Sequence, residues 1–382
     1  MQKKLIALAI TAAFASAPAF ADTQVYGLVD SGYGSVSNTA TTTGGVSTKT
    51  GESGISFSAN QTSKVGVKST EDLGNGMKGI YQLEMGLSSN PGADAGFGKA
   101  TVAGGTTGGS GFAPNASISP DRILTAGLDF GQGTVLTVGR MSSPFRGIVY
   151  GNDAFYGANL IGNLVTMDSA LTSRVIAANV DQKIGAVKAS VALLSDTQTA
   201  DNTTDVKVKN GYELTAVYNQ DALSVSGGYR NTKVNLTPAT PVTPATPATP
   251  ATPEATTKEL ILAANYDFGM AKLYGQYASV QIDQASGTAI AGKNTYETLG
   301  VNVPFTSTIA GYVQTSFGKT DRVANGSASD SRNMSAYAVG ARYDMSKNTW
   351  AYADVGSAKQ DNTTVSVGSK VDQVAVGLVH SF

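Results

Sequence analysis

The chain has 382 residues, a formal charge of −1, no Cys and a single His, His380. That composition excludes disulfide scaffolds, Cys/His zinc sites, thiolate chemistry and any Ser-His or Cys-His catalytic pair not built next to the C-terminus. Hydrophobic residues make up 41% of the chain, yet beyond the first ten positions their longest uninterrupted run is Leu260 to Ala264, which excludes a helical membrane span of about 20 apolar residues.

At the N-terminus, Lys3 and Lys4 precede an apolar stretch from Leu5 to Ala17, and Ala19-Phe20-Ala21 places small residues where a signal peptidase reads. The order of basic, apolar and small-residue regions predicts an export signal over residues 1–21, cut before Asp22. Taking 21 residues from 382 leaves a mature chain of 361, and losing both lysines moves its charge to −3. Nothing in that charge suggests a nucleic-acid partner.

From Asp22 to Phe382 the pattern is alternation of apolar with small or polar residues, the period of a half-buried strand. Leu223-Val225-Gly227-Tyr229 stand against Ser224-Ser226-Gly228-Arg230, and Tyr337-Val339-Ala341-Tyr343 against Ala338-Gly340-Arg342-Asp344. Only 14% of the residues are charged, against roughly 25% in ordinary soluble domains, so one strand face must carry almost no charge.

The connectors alternate too. Short turns are predicted at Glu71 to Gly76, Gly131 to Gly133, Asp181 to Ile184, Gln220-Asp221, Asp267 to Met270, Val303 to Ser307 and Asp344 to Asn348. Between them fall long polar loops near Val36 to Gly54, Ser89 to Pro120, Ser142 to Leu171, Ser195 to Lys209, Val234 to Thr256, Asp283 to Gly292, Lys319 to Ser331 and Gln360 to Gly368. Fifteen connectors imply sixteen strands. The fold class expected is all-β, a 16-stranded antiparallel transmembrane barrel with short turns at one rim and long loops at the other. A soluble sandwich shares the alternation; the turn asymmetry, even strand count and Tyr-rich strand ends favour the barrel, whose closed sheet leaves no edge in hydrocarbon.

Sidedness follows from parity. If Val65 and Val67 face lipid, Lys64 and Lys68 face the lumen, and by the same rule so do Lys78, Glu84, Lys188 and Arg230. A charge on the lipid face near the midplane costs about 2–4 kcal/mol. For Arg122, Arg140 and Arg174 parity is ambiguous, because Leu124, Val138 and Ile176 share their faces. The segment Val234 to Thr256 holds six of the twelve prolines at every third position, the spacing of an extended polyproline II arm in an outward loop.

These residues also carry a resemblance. Ser63-Lys64-Val65-Gly66-Val67-Lys68-Ser69-Thr70-Glu71-Asp72-Leu73-Gly74-Asn75-Gly76 with Gln82-Leu83-Glu84 resembles the trimeric general porins of Gram-negative bacteria, betaproteobacterial type. Gly127-Leu128 followed by Phe130-Gly131-Gln132-Gly133 and Gly139-Arg140 is similar in the same way. So are Val25-Tyr26-Gly27-Leu28-Val29-Asp30 and the terminal Gly377-Leu378-Val379-His380-Ser381-Phe382. The resemblance implies a homotrimer in outer-membrane lipid and lipopolysaccharide, no cofactor, Phe382 as an outer-membrane sorting signal, and the loop Ser142 to Leu171 folded inward to narrow each pore. It implies a basic wall of Arg140, Arg174, Arg122 and Lys64 facing loop acids Asp153 and Asp168, with Arg146 able to add to either side. The expected function is passive diffusion of ions and small hydrophilic solutes, with an anion preference; a solute-specific channel and a surface adhesin barrel are the alternatives. A barrel enzyme is disfavoured by the lone, terminal His380.

Overall fold

The computed structural model describes residues 21–41, 45–56, 58–88, 117–158, 160–198, 207–235, 254–284, 291–323, 330–362 and 367–382. Residues 1–20 of the expected export signal 1–21, most of the loop Ser89 to Pro120 and the proline-rich stretch 236–253 lie outside them.

The strands are β1 (Ala21–Thr41), β2 (Ser47–Ser56), β3 (Lys64–Gly74), β4 (Met77–Ser88), β5 (Ser117–Asp129), β6 (Thr134–Met141), β7 (Val175–Ile184), β8 (Val187–Gln198) and β9 (Lys207–Gln220). They continue as β10 (Leu223–Asn235), β11 (Glu254–Asp267), β12 (Lys272–Gln284), β13 (Ala291–Pro304), β14 (Ile309–Val323), β15 (Asp330–Asp344), β16 (Thr349–Asn362) and β17 (Gly368–Ser381). Three helices, α1 (Pro144–Gly151), α2 (Leu164–Met167) and α3 (Ser169–Thr172), lie between β6 and β7.

Apart from β2 and β3, each strand pairs antiparallel with its successor, and β1 pairs with β17 from Leu28–Ser381 to Thr41–Gly368, closing the sheet. The Gly27 and Phe382 backbones exchange hydrogen bonds of 2.9 and 3.1 Å at the seam. Segments β2 and β3 occupy one stave. The upper part of β1 pairs with β2 through Gly32–Ser56 and the lower part with β3 through Leu28–Lys64, so residues 58–63 lie within an interruption of a single strand of a closed 16-stranded barrel.

The alternation reads directly in burial: Val225 is 45% exposed and its neighbour Ser226 4%. Large apolar side chains such as Leu124, Leu193, Leu262, Leu299, Phe317 and Tyr337 are exposed on the outside. An apolar exterior around a polar interior suits hydrocarbon surroundings and a wet lumen. The largest apolar cluster lies inside, where Phe145, Val149, Val165 and Leu171 of the loop after β6 meet Ile261, Ala278 and Ala336 of the wall.

Two sequence boundaries are corrected. The first loop, expected at Val36 to Gly54, is confined to the tip between Thr41 and Ser47, because the Ser/Thr/Asn-rich ends of β1 and β2 pair through Thr41–Ser47. The turn expected at Asp181 to Ile184 lies at Gly185-Ala186, where Gly185 takes a φ of +60°, and Asp181 to Ile184 stay paired with β8.

Candidate pore constriction

The inward loop starts with Ser143, whose side chain caps α1 by accepting from Arg146 N, followed by Pro144 at the first helical turn. The apolar side of α1, Phe145, Ile148 and Val149, is buried, and the helix packs on β9, β10 and β11. Wall side chains from successive strands then hold the loop. Asn265 Nδ2 donates to Asn152 at 2.8 Å, Gln276 Nε2 to Val149 O at 2.6 Å, Thr298 Oγ1 to Asn163 at 3.0 Å and Tyr296 Oη to Asp168 at 2.7 Å. Gln314 accepts from Ala154 N at 3.0 Å and Gln373 from Ile161 N at 2.9 Å. At Gly356 a Cβ would stand 1.8 Å from Ile161 O, so only glycine lets the loop lie this close to β16.

Of the two loop acids, Asp153 is buried rather than open to the lumen as expected, and Asp168 is half-buried. Asp153 is 3% exposed and accepts from Gly157 N and Asn163 Nδ2; burial raises its pKa above the ordinary carboxylate value, against those two hydrogen bonds. Asp168 caps α3 through Ala170 N and accepts from Tyr296. Both carboxylates are spent on loop geometry and on the wall that carries the loop, because a short irregular segment inside a barrel must satisfy its own amides.

Facing the β3–β5 side is a group of cations. Lys64 of β3 lies 3.6 Å from Glu84 of β4, and Arg122 of β5 donates to Glu84 at 2.7 Å. Tyr26 of β1 donates to the same carboxylate at 3.1 Å and accepts from Gln82 at 2.6 Å. Lys64 is electrostatically coupled to both Arg122 and Arg174. From the loop, Arg146 donates to Thr172 O at 2.6 Å and to Ser142 at 3.2 Å, with its guanidinium 4.4 Å from the Tyr150 ring. Burial first, and then the like charges of Arg174 and Arg122, act to lower the Arg146 pKa. Lys64 and Arg122 therefore meet at Glu84, and Arg174 and Arg146 stand near enough to those two cations to act on them electrostatically.

Arg122 and Arg174 turn inward by two different irregularities. Register shifts in the β4–β5 pairing between Glu84 and Gly86, next to Pro120, so strict alternation fails between Arg122 and the exposed Leu124. Arg174 precedes β7, following α3 and its C-cap Ser173, and is 4% exposed beside the outward Ile176. Arg140 is different. It is paired in register with Leu124 and Ile176, both exposed, follows Gly139 at a φ of +127°, and is itself half-buried.

Of the remaining candidates, Lys68 lies 5.9 Å over the Tyr26 ring, Lys78 stands opposite Asp129 near the short-turn rim, and Lys188 pairs with Asp181 at 2.8 Å. Glu84 is the counter-charge of the group. Arg230 is not a free lumen charge: it is 1% exposed and bound to Glu213 at 2.6 Å and Glu259 at 2.8 Å. Residues 58–63, for which the sequence analysis predicted no loop or turn, fold inward. Asp30 accepts from Asn60 N at 2.6 Å, Gln61 N at 2.5 Å and Tyr352 Oη at 2.8 Å, and Asn60 also donates to Asp354.

A closed 16-stranded barrel with an apolar exterior, an inward loop and a charged interior is a transmembrane channel. The Gram-negative porin family model matches residues 6–363, and the chain belongs to that family. An outer membrane porin protein of Bordetella pertussis is 25% identical over the full length of both chains. Outer membrane porin protein 32 of Delftia acidovorans is 35% identical over 99 residues, about a quarter of each chain. Among solved structures, an anion-selective porin from Comamonas acidovorans superposes with a TM-score of 0.65 at 20% identity, over 95% of this chain and 100% of that one. The trimer form of OmpT of Vibrio cholerae gives 0.58 at 12% identity, over 94% and 99%. The protein is an outer-membrane β-barrel that forms a channel for passive solute diffusion.

Proposed function

We propose that this channel prefers anions, and that Lys64, Arg122, Arg146 and Arg174 set the preference. One observation carries the reading: Lys64 and Arg122 meet at Glu84 with Arg146 and Arg174 close to them, while Asp153 and Asp168 accept hydrogen bonds within the loop and from the wall. A ring of excess positive charge in a narrow, low-dielectric passage raises the local anion concentration and repels cations. The anion-selective porin of Comamonas acidovorans, which shares the fold, agrees in direction. The same proposal includes a homotrimer, in line with the trimeric OmpT form, removal of residues 1–21 on export, and Phe382 as the sorting signal of the last strand.

The test is the zero-current potential of the purified protein in a planar bilayer under a salt gradient. An anion-to-cation permeability ratio above one that falls when Arg122 and Arg174 are changed to Gln supports the reading; a ratio at or below one in the unaltered protein overturns it. Conductance that appears in groups of three equal steps supports the trimer, and single steps throughout overturn it.

A further inference from the structure

Two of the four cations belong to the inward loop, Arg146 near its entrance and Arg174 at its exit. Something must fix both ends of the loop for those charges to stand at the waist together. The buried triad of Arg230, Glu213 and Glu259 is placed to do this.

Arg230 of β10 stands in register between Glu213 of β9 and Glu259 of β11. Its Nε donates to Glu213 at 2.6 Å and its Nη1 to Glu259 at 2.8 Å, so two neighbouring strands grip the guanidinium. The remaining donors point to the loop. Nη1 donates to Ala170 O at 2.8 Å and Ser173 Oγ at 3.1 Å at the exit, and Nη2 to Ser143 Oγ at 3.1 Å at the entrance. The guanidinium carbon lies 4.6 Å from the Phe145 ring.

Each loop contact leads to a waist cation. Ser143 Oγ also accepts from Arg146 N, and Ser173 immediately precedes Arg174. Arg146 Nε in turn donates to Thr172 O, tying entrance to exit. A planar fork with five donors spans two carboxylates and three loop oxygens, Nη1 sharing its two hydrogens among Glu259, Ala170 O and Ser173 Oγ; the three donors of an ammonium cannot span this set.

We propose that Arg230 is the positioning residue of the constriction: held by Glu213 and Glu259, it pins both ends of the inward loop and so sets where Arg146 and Arg174 stand. It acts on selectivity without contributing its own charge to the pore. This inference rests on the reading of those cations as selectivity-setting.

The experiment compares permeability ratios, from reversal potentials in a KCl gradient, for the intact protein and for variants whose barrels are shown to be folded by heat-modifiable migration. Changing Arg146 and Arg174 to Gln together tests the underlying reading; an unchanged ratio there overturns the reading of the waist itself. With that ratio lowered, Arg230→Lys is expected to lower it by about half while keeping the total charge. Ser143→Ala with Ser173→Ala removes two loop acceptors and leaves the wall triad whole, so it remains a fair test where Arg230→Lys does not fold. A fall in the serine pair that does not deepen when Arg230→Lys is added supports the clamp. A wild-type ratio in the serine pair, or a fall there that a folded Arg230→Lys does not share, overturns it while leaving the waist reading intact.

Discussion

Arg122 donates to Glu84 at 2.7 Å although Leu124, two residues further along the same strand, is 61% exposed on the outside of the barrel. The register shift between Glu84 and Gly86 makes this possible, and it turns a position that alternation assigns to lipid into one that meets the Glu84 carboxylate. The pair also links selectivity to the wall: the same carboxylate offsets Arg122, Lys64 and the Tyr26 hydroxyl.

Glu84→Gln should therefore raise the anion-to-cation permeability ratio, by about twofold, since it removes the acid that Lys64 and Arg122 share. The cost is stability, because the buried Arg122–Glu84 ion pair is broken; loss of one member of such a pair costs about 3 kcal/mol or more. Reversal potential checks the first effect and thermal unfolding in detergent the second. A lowered ratio would count against Glu84 as the counter-charge.

Asp153 gives the opposite expectation for a loop acid. Because it is buried against its own loop, Asp153→Asn should leave the permeability ratio unchanged, where a pore-facing acid would raise it. Burial lifts the pKa of Asp153 in the folded state, so the folded chain holds that proton more tightly than the unfolded chain. The resulting stabilisation is fully present below the ordinary carboxylate pKa and is lost as pH rises through the raised value. Unfolding of the wild type measured on the acid side should show that loss with increasing pH, and Asp153→Asn should flatten it. An equal pH slope in both proteins would contradict this assignment.

What was legible in the sequence divides along the line between regular and irregular backbone. Lys64 and Lys68 could be placed because Val65 and Val67 flank them in unbroken alternation, and the same period delimits β10 and β15. Arg122 and Arg174 could not, since a bulge and a helix exit reset the parity that assigns a side. Pro120, a residue without an amide donor inside an apparent strand, was the available sign of the first irregularity. Asp153 and Asp168 were misplaced for another reason: composition identifies the acids of a loop but not which of its sides meets the wall. Arg230 looked like any inward charge, because its partners lie on two neighbouring strands and on a loop 57 to 87 positions away in sequence.

The inward segment 58–63 is tied to the wall chiefly through Asp30. Asp30 accepts the amides of Asn60 and Gln61 and the hydroxyl of Tyr352, and it is fully buried. Asp30→Ala leaves these three donors without that acceptor, at about 1–3 kcal/mol for a buried donor left unsatisfied. The expected result is a lower unfolding temperature in detergent and protease access at residues 58–63, with the permeability ratio near wild type because Asp30 is not among the charges grouped at Glu84. Asp30→Asn, which keeps one acceptor oxygen, should fall between the two; equal stability for all three proteins would remove Asp30 from this role.

Arg140 separates position in the chain from position in the pore. It resembles the arginine that closes the strand before the constriction loop, yet it is paired in register with Leu124 and Ile176, whose side chains are exposed on the outer face. Gly139 beside it takes a φ of +127° and lies so near β5 that a Cβ would stand 2.2 Å from Leu124 O. That close approach fixes the strand pair where Arg140 emerges. Arg140→Ala should then leave the reversal potential in a salt gradient within error of wild type, whereas Arg174→Ala should move it toward cations. A shift for Arg140→Ala as large as that for Arg174→Ala would show that its guanidinium reaches the lumen despite the register, and would add a fifth cation to the waist.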